Sequence, residues 1–123
     1  MSMTEGAYPE EVILSEANGH RSRESVTLAS GQNLKAGTVL GIVTSGGAYA
    51  IADNSTPASN GTQTAKAILL RDCDASSAAK RALVLRRDAE VKRDALTFHA
   101  DADGTDITAL IGHLAAEGII VRS

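Results

Sequence analysis

The side chains best able to do chemistry are gathered in one run, His99-Ala-Asp101-Ala-Asp103-Gly104-Thr-Asp106, whose alternating carboxylates could converge on a single cation. A helix-loop-helix calcium site needs glycine at its sixth position and a bidentate glutamate at its twelfth. Counted from Asp101, those positions hold Asp106 and Gly112. The run therefore reads as a turn that starts a helix: Asp103-Gly104 reverses the chain, and Asp106 sets negative charge at the positive end of the helix dipole. His20, His99 and His113 are far apart and form no i, i+4 pair, so zinc has no local scaffold. Cys73 is the sole cysteine, which excludes an internal disulfide and a multi-cysteine metal cage. It reads as a small, half-buried apolar side chain.

Nucleophilic and phosphate chemistry fare no better. There is no Gly-x-Ser-x-Gly, and Ser22, Ser30 and Ser45 sit in turn-like contexts with only His20 near Ser22. Gly41 to Gly47 holds three glycines but lacks the Gly-Lys-Ser/Thr ending of a phosphate loop, and reads as a hairpin turn. Lys66 lies between Ala65 and Ala67, as in biotinyl or lipoyl carrier domains; such a lysine belongs at an exposed hairpin tip, whereas Lys66 begins a strand. The expectation is a chain that is not an enzyme and needs no cofactor and no metal, with a small-ligand or carrier β-domain as the alternative.

At 123 residues the chain suits one domain, burying roughly two-thirds of its unfolded surface around one core, not two. Hydrophobic residues are 43% of it, yet the aromatics are only Tyr8, Tyr49 and Phe98. The core must come from Val, Ile, Leu and Ala, each large aliphatic side chain contributing about 1.5 to 3 kcal/mol. A core this thin gains from hiding further surface against copies of itself. The formal charge of −3 opposes a phosphate backbone and three aromatics offer no stacking platform, which argues against direct nucleic-acid binding. No run of 18 apolar residues exists, so no membrane span is expected. The start, Met-Ser-Met-Thr-Glu-Gly, lacks the features of a secretion signal, and synthesis in the cytoplasm is expected.

These residues must be carried by short elements. Residues 1 to 24 are rich in Glu, Ser, Asn, Gly and Arg, with a single apolar cluster at Val12, Ile13 and Leu14 between Pro9-Glu10-Glu11 and the turn signal Asn18-Gly19, and read as an extended arm that cannot fold alone. Residues 25 to 123 read as a single β-rich domain. Val26 to Leu28 alternates, Gly31 to Gly37 is turn-like, and 38 to 52 is a hairpin turning at Ser45-Gly46-Gly47. Residues 53 to 63 read as an exposed loop, 64 to 70 as a strand, and 72 to 79 is too short for a helix. Residues 81 to 86, 89 to 91 and 96 to 98 have β character. Ile107, Leu110, Ile111 and Leu114 follow helical spacing, with Thr105 or Asp106 as N-cap and Gly118 as stop, and 118 to 122 is a final strand. The fold class expected is α+β, mostly β: a small barrel or sandwich-like domain with one helix in its C-terminal half. Lys80, Arg81, Arg86, Arg87, Lys92 and Arg93 form a locally basic stretch that reads as a solvated strand face.

Taken in order, Leu14-Ser-Glu-Ala-Asn-Gly-His-Arg-Ser22-Arg23-Glu-Ser-Val-Thr-Leu28, Ala29-Ser-Gly-Gln32 and Leu34-Lys-Ala-Gly37-Thr-Val-Leu-Gly41 resemble the opening of the lambda-type head decoration proteins of tailed phages. The likeness continues through Thr64 to Leu70, Asp74-Ala-Ser, Ala89 to Leu96 and Leu114 to Arg122. Arg87-Asp88 stands where the family leads one to expect glycine, and aspartate tolerates left-handed turn geometry. The resemblance implies a homotrimer on the outer surface of the virion capsid, made in host cytoplasm, binding the major capsid protein and stabilising the expanded head against packaged DNA. It implies that the arm reaches the shell, a role falling to Tyr8, Pro9, Val12, Ile13, Leu14, Arg21, Ser22 and Arg23.

Overall fold

A β-branched, alanine-rich strand that must hide both faces needs cover on each side, and the middle of this chain meets that need by curling into a barrel and laying a second layer on its outside. The computed structural model describes residues 13–16, 22–44, 46–53, 61–100 and 102–122. Its strands are β1 (Ile13–Glu16), β2 (Arg23–Leu28), β3 (Gln32–Leu34), β4 (Val39–Ile42), β5 (Tyr49–Ile51), β6 (Ala67–Leu69), β7 (Cys73–Ala75), β8 (Lys80–Leu85), β9 (Ala89–Lys92) and β10 (Ile119–Arg122). A 3-10 turn spans Arg93–Ala95, and the helix α1 spans Gly104–Ala116. A barrel closes in the order β2-β5-β4-β6-β8, while β9 lies between β1 and β10 in a separate sheet and β3 pairs with β7. Among the described residues the fold is mostly strand with a single α-helix near the C-terminus, as the sequence pattern implies.

The expected hairpin is present, with Leu40 opposite Ile51 and Ile42 opposite Tyr49. The expectation of one core needs correction, because two clusters of buried residues form. Val26, Leu28, Leu40, Tyr49, Leu69 and Val84 come from all five barrel strands and fill its inside. Ile68, Leu85, Val91, Leu110, Leu114 and Ile119 pack between the barrel's outer face and the layer of α1, β9 and β10. Period-two alternation explains the division: in β6, Ala67 and Leu69 face in while Ile68 faces the helix, so a short strand serves both clusters. Small aliphatic side chains allow walls thin enough for this arrangement.

Local differences from the sequence reading have simple causes. Gln32–Leu34, expected as part of a turn, pairs antiparallel with β7, which itself arises within the stretch 72 to 79 that has no helix. Residues 96 to 98 make only an isolated bridge, Thr38 to Thr97. Of the expected loop 53 to 63, residues 54 to 60 lie outside the described residues.

The helix N-cap is Asp103, not Thr105 or Asp106. Its carboxylate accepts from the Asp106 amide at 2.8 Å, and Asp106 accepts in return from the Asp103 amide at 3.4 Å. This reciprocal capping satisfies two amide groups that the first turn leaves without partners. Replacing Asp103 with alanine is expected to cost about 1 kcal/mol, read as a lower urea midpoint with an unchanged slope. Gly118, with φ of 85°, ends the helix as expected and lets β10 turn back beside β9.

Candidate functional site

The leading strand is the starting point, because the sequence assigns it a binding role. Ile13–Glu16 lies antiparallel on β9, Ile13 opposite Val91 and Glu16 opposite Ala89, with an irregular register between Ile13 and Ser15. Ile13 also packs against the cluster beneath α1. Part of the expected arm is therefore an edge strand of the chain's own sheet, since an apolar side chain next to an uncovered β9 edge gains both burial and backbone pairing there. β1 has β9 on one side and no strand on the other among the described residues.

A clamp fixes the chain where it passes into the barrel. Ser22 is fully buried; its hydroxyl donates to the Asp88 carbonyl at 2.9 Å, and its own carbonyl accepts from the Arg86 amide at 2.7 Å. Asp88 has φ of 55°, the left-handed geometry anticipated where glycine was expected, and is the only non-glycine residue with positive φ among those described. Its turn aims the carbonyl at Ser22 and leads into β9, whose Ala89 amide donates to the Gly118 carbonyl at 3.1 Å. Arg23 opens β2 opposite Leu85. Of the eight residues assigned to the arm, Ile13 and Leu14 are thus in β1, Ser22 is internal and Arg23 is in the barrel. Tyr8, Pro9, Val12 and Arg21 lie outside the described residues. Sequence reasoning missed Asp88 and β9 as the receivers of this segment, and no local pattern points to them.

The groups weighed for other chemistry are occupied within the fold. Asp103 and Asp106 cap the helix, while buried His99 faces the Asp53 carboxylate, Nδ1 to oxygen 3.7 Å. Asp101 lies outside the described residues. His113 Nδ1 accepts from the Ala65 amide at 3.1 Å. Among the described residues no group of three or more His, Cys, Asp or Glu could hold a metal ion, and no helix is long and apolar enough to cross a membrane.

Lys66 precedes β6 rather than standing at a hairpin tip, and its ammonium is 3.1 Å from Glu117 at the end of α1. The other Glu117 oxygen accepts from Arg86 at 2.5 Å. This latch ties helix to barrel. The Arg86 guanidinium, helped by Lys66, holds the Glu117 carboxyl below its ordinary value of 4.5 against the opposing effect of burial. A carboxyl depressed in the folded state stabilises above its unfolded pKa, and that contribution disappears as pH falls through the folded value. Acid melting between pH 7 and 3 should therefore show a loss of stability beginning near pH 4.5 that is reduced in Glu117→Gln.

Three further cations have carboxylate partners: Arg87 meets Glu24 at 2.7 Å, Arg122 meets Glu90 at 3.0 Å, and Lys35 meets Asp72 at 3.7 Å. In the basic stretch Arg86 and Arg87 pair with Glu117 and Glu24, while Lys80, Arg81, Lys92 and Arg93 are exposed; exposed pairs such as Arg87 with Glu24 contribute little stability.

Compared with curated proteins, the chain matches none. The sequence profile of the family described as Bacteriophage lambda head decoration protein D matches residues 2–119. That span takes in β1, the barrel, β9 and the helix, reaches the first residue of β10, and covers nearly the whole sequence. The chain belongs to the bacteriophage lambda head decoration protein D family, a family of capsid decoration proteins.

Proposed function

We propose that this chain is a cement protein of a phage head: three copies associate and seat together on the outside of the expanded shell, where they hold neighbouring major capsid subunits against the pressure of packaged DNA. The observation that carries the reading is the family match over residues 2–119. The position of β1 supports the mode of attachment. An edge strand with no strand on its other side among the described residues can accept a capsid strand by the hydrogen bonding that already joins it to β9, and of the residues assigned to that contact Tyr8, Pro9, Val12, Ile13, Leu14, Arg21 and Arg23 are kept while buried Ser22 is not.

A few backbone hydrogen bonds at about 0.5 to 1.5 kcal/mol each leave one such arm weak. Three arms on one body raise the effective concentration of the second and third. All three engage only where the shell presents their sites at the correct spacing, so an unexpanded shell is discriminated against. The carrier-domain alternative loses its main feature, because Lys66 is taken up by Glu117.

Removing residues 1 to 16 tests the reading, because it takes away β1 together with the residues ahead of it and leaves the barrel strands and the helix. The truncated protein is expected to remain trimeric by sedimentation and to bind expanded heads at least about 100-fold more weakly. Undiminished binding to heads, or no preference for expanded over unexpanded shells in the full-length protein, overturns it.

A further inference from the structure

The sheet of β1, β9 and β10 has an outer face whose charges do not balance. Val91 and Ile119 are fully buried in the cluster beneath α1, so alternation turns Glu90 and Lys92 of β9, and Ile120 and Arg122 of β10, to the opposite side. The parallel register sets Glu90 beside Ile120 and Lys92 beside Arg122. Like charges directly opposite on neighbouring strands destabilise a sheet. One carboxylate on this face serves both: Glu90 accepts from the Arg122 guanidinium at 3.0 and 3.5 Å. Lys92 is exposed and has no carboxylate partner among the described residues, and the same holds for Arg93, which follows it. Asp94, next along the 3-10 turn, pairs with neither.

Between these charges stands Ile120, the one exposed large hydrophobic side chain among the described residues, at 40%. An apolar spot with a charged rim is the anatomy of a protein contact. On a chain whose formal charge is −3, a locally positive face favours a partner of the opposite sign and turns away one of the same sign. A carboxylate brought between Lys92 and Arg122 would relieve the like-charge pair that the free protein carries uncompensated.

The place of this face in the sheet selects the occupant. β1 borders β9 on the side away from β10, so a strand added outside β1 lies two strand spacings, about 10 Å, from β9. Whatever body supplies that strand is brought alongside the outer face. We propose that the outer face of β9 and β10 is a second contact with the capsid shell, made with an acidic stretch of the shell protein that sets a carboxylate between Lys92 and Arg122 and an apolar side chain on Ile120. The inference rests on the proposed attachment to heads through β1. Backbone pairing along a short edge specifies register weakly, and a carboxylate held between two cations supplies the missing registration.

Binding of the full-length protein to expanded heads that lack it tests this. Lys92→Glu should bind at least about tenfold more weakly than wild type, with a smaller loss of binding as salt is raised. Its melting temperature should be no lower, because the new carboxylate faces Arg122. Lys92→Arg should bind as wild type does. A Lys92→Glu protein that binds heads as tightly as wild type, or that binds weakly but also melts lower, overturns the inference. Attachment through β1 then still stands if removal of residues 1 to 16 abolishes binding. A Lys92→Glu protein that loses its trimer assigns the face to a contact between copies and likewise overturns the inference. Wild-type protein that fails to bind heads overturns both readings.

Discussion

Replacing Gly37 with alanine is expected to lower stability by about 3 to 4 kcal/mol, the sum of two costs of similar size. Gly37 has φ of 95°, where an L side chain costs about 1 to 2 kcal/mol. In addition, a methyl group there would land on the backbone carbonyl of Ala95. That carbonyl cannot retreat freely, since Gly37 donates to Leu69 at 2.7 Å and accepts from the Thr97 amide at 2.8 Å, stitching the barrel to the segment that leads to the helix. Losing two such bonds adds about 1 kcal/mol each. Gly31 provides the control: its φ is 94° but an added methyl meets nothing within 4 Å, so Gly31→Ala should show the conformational cost alone. At about 4 °C per kcal/mol, the melting temperatures of the two variants should differ by roughly 8 °C. Equal melting temperatures would show that the close approach to Ala95 is not what fixes glycine at position 37.

Leu114→Ala should be comparably damaging, at about 2 to 5 kcal/mol. Leu114 is fully buried in the last turns of α1, in the cluster shared with Leu85, Val91 and Ile119. The helix has little reserve without that contact. Its 13 residues include Gly104 and Gly112, and a helix this short is marginal alone, with each interior glycine costing about 1 kcal/mol relative to alanine. Loss of Leu114 should therefore release the helix locally, seen as proteolytic cleavage between residues 104 and 117 before global unfolding. Gly112 is exposed with open space around it, so adding Gly112→Ala should recover about 0.5 to 1 kcal/mol. If Leu114→Ala melts like wild type, the helix is not held by this cluster.

Features governed by local rules were legible in the sequence. The alternating run before Leu28, the glycine-turned hairpin and the i, i+3, i+4, i+7 spacing of the helix each appear where their patterns placed them. The helix cap was read two or three residues late because Asp103, Thr105 and Asp106 are all acceptable caps, and only the reciprocal bonds select Asp103. What composition concealed was the division into two buried clusters, since alternation within a three-residue strand such as β6 is too brief to announce that both faces are covered. The fate of Ile13 was hidden for a different reason. A four-residue strand declares that it wants an edge, but its partner β9 lies more than seventy residues along the chain, and no local pattern names it. The Asp88 turn was anticipated from its residue type, while the buried hydroxyl it receives from Ser22 was not.

Both ends of the described chain are strands on the same central strand, β1 running against β9 and β10 running along it. The consequence is mechanical. A pull delivered through the leading residues reaches β9 before it reaches the barrel, and traction along the axis of β1 strains its rungs together rather than one after another. Ser22, buried on the Asp88 turn, stands next in line as an anchor for whatever load passes β1. Load entering through the leading residues is thus shared across the β1–β9 rungs before any of it falls on the barrel.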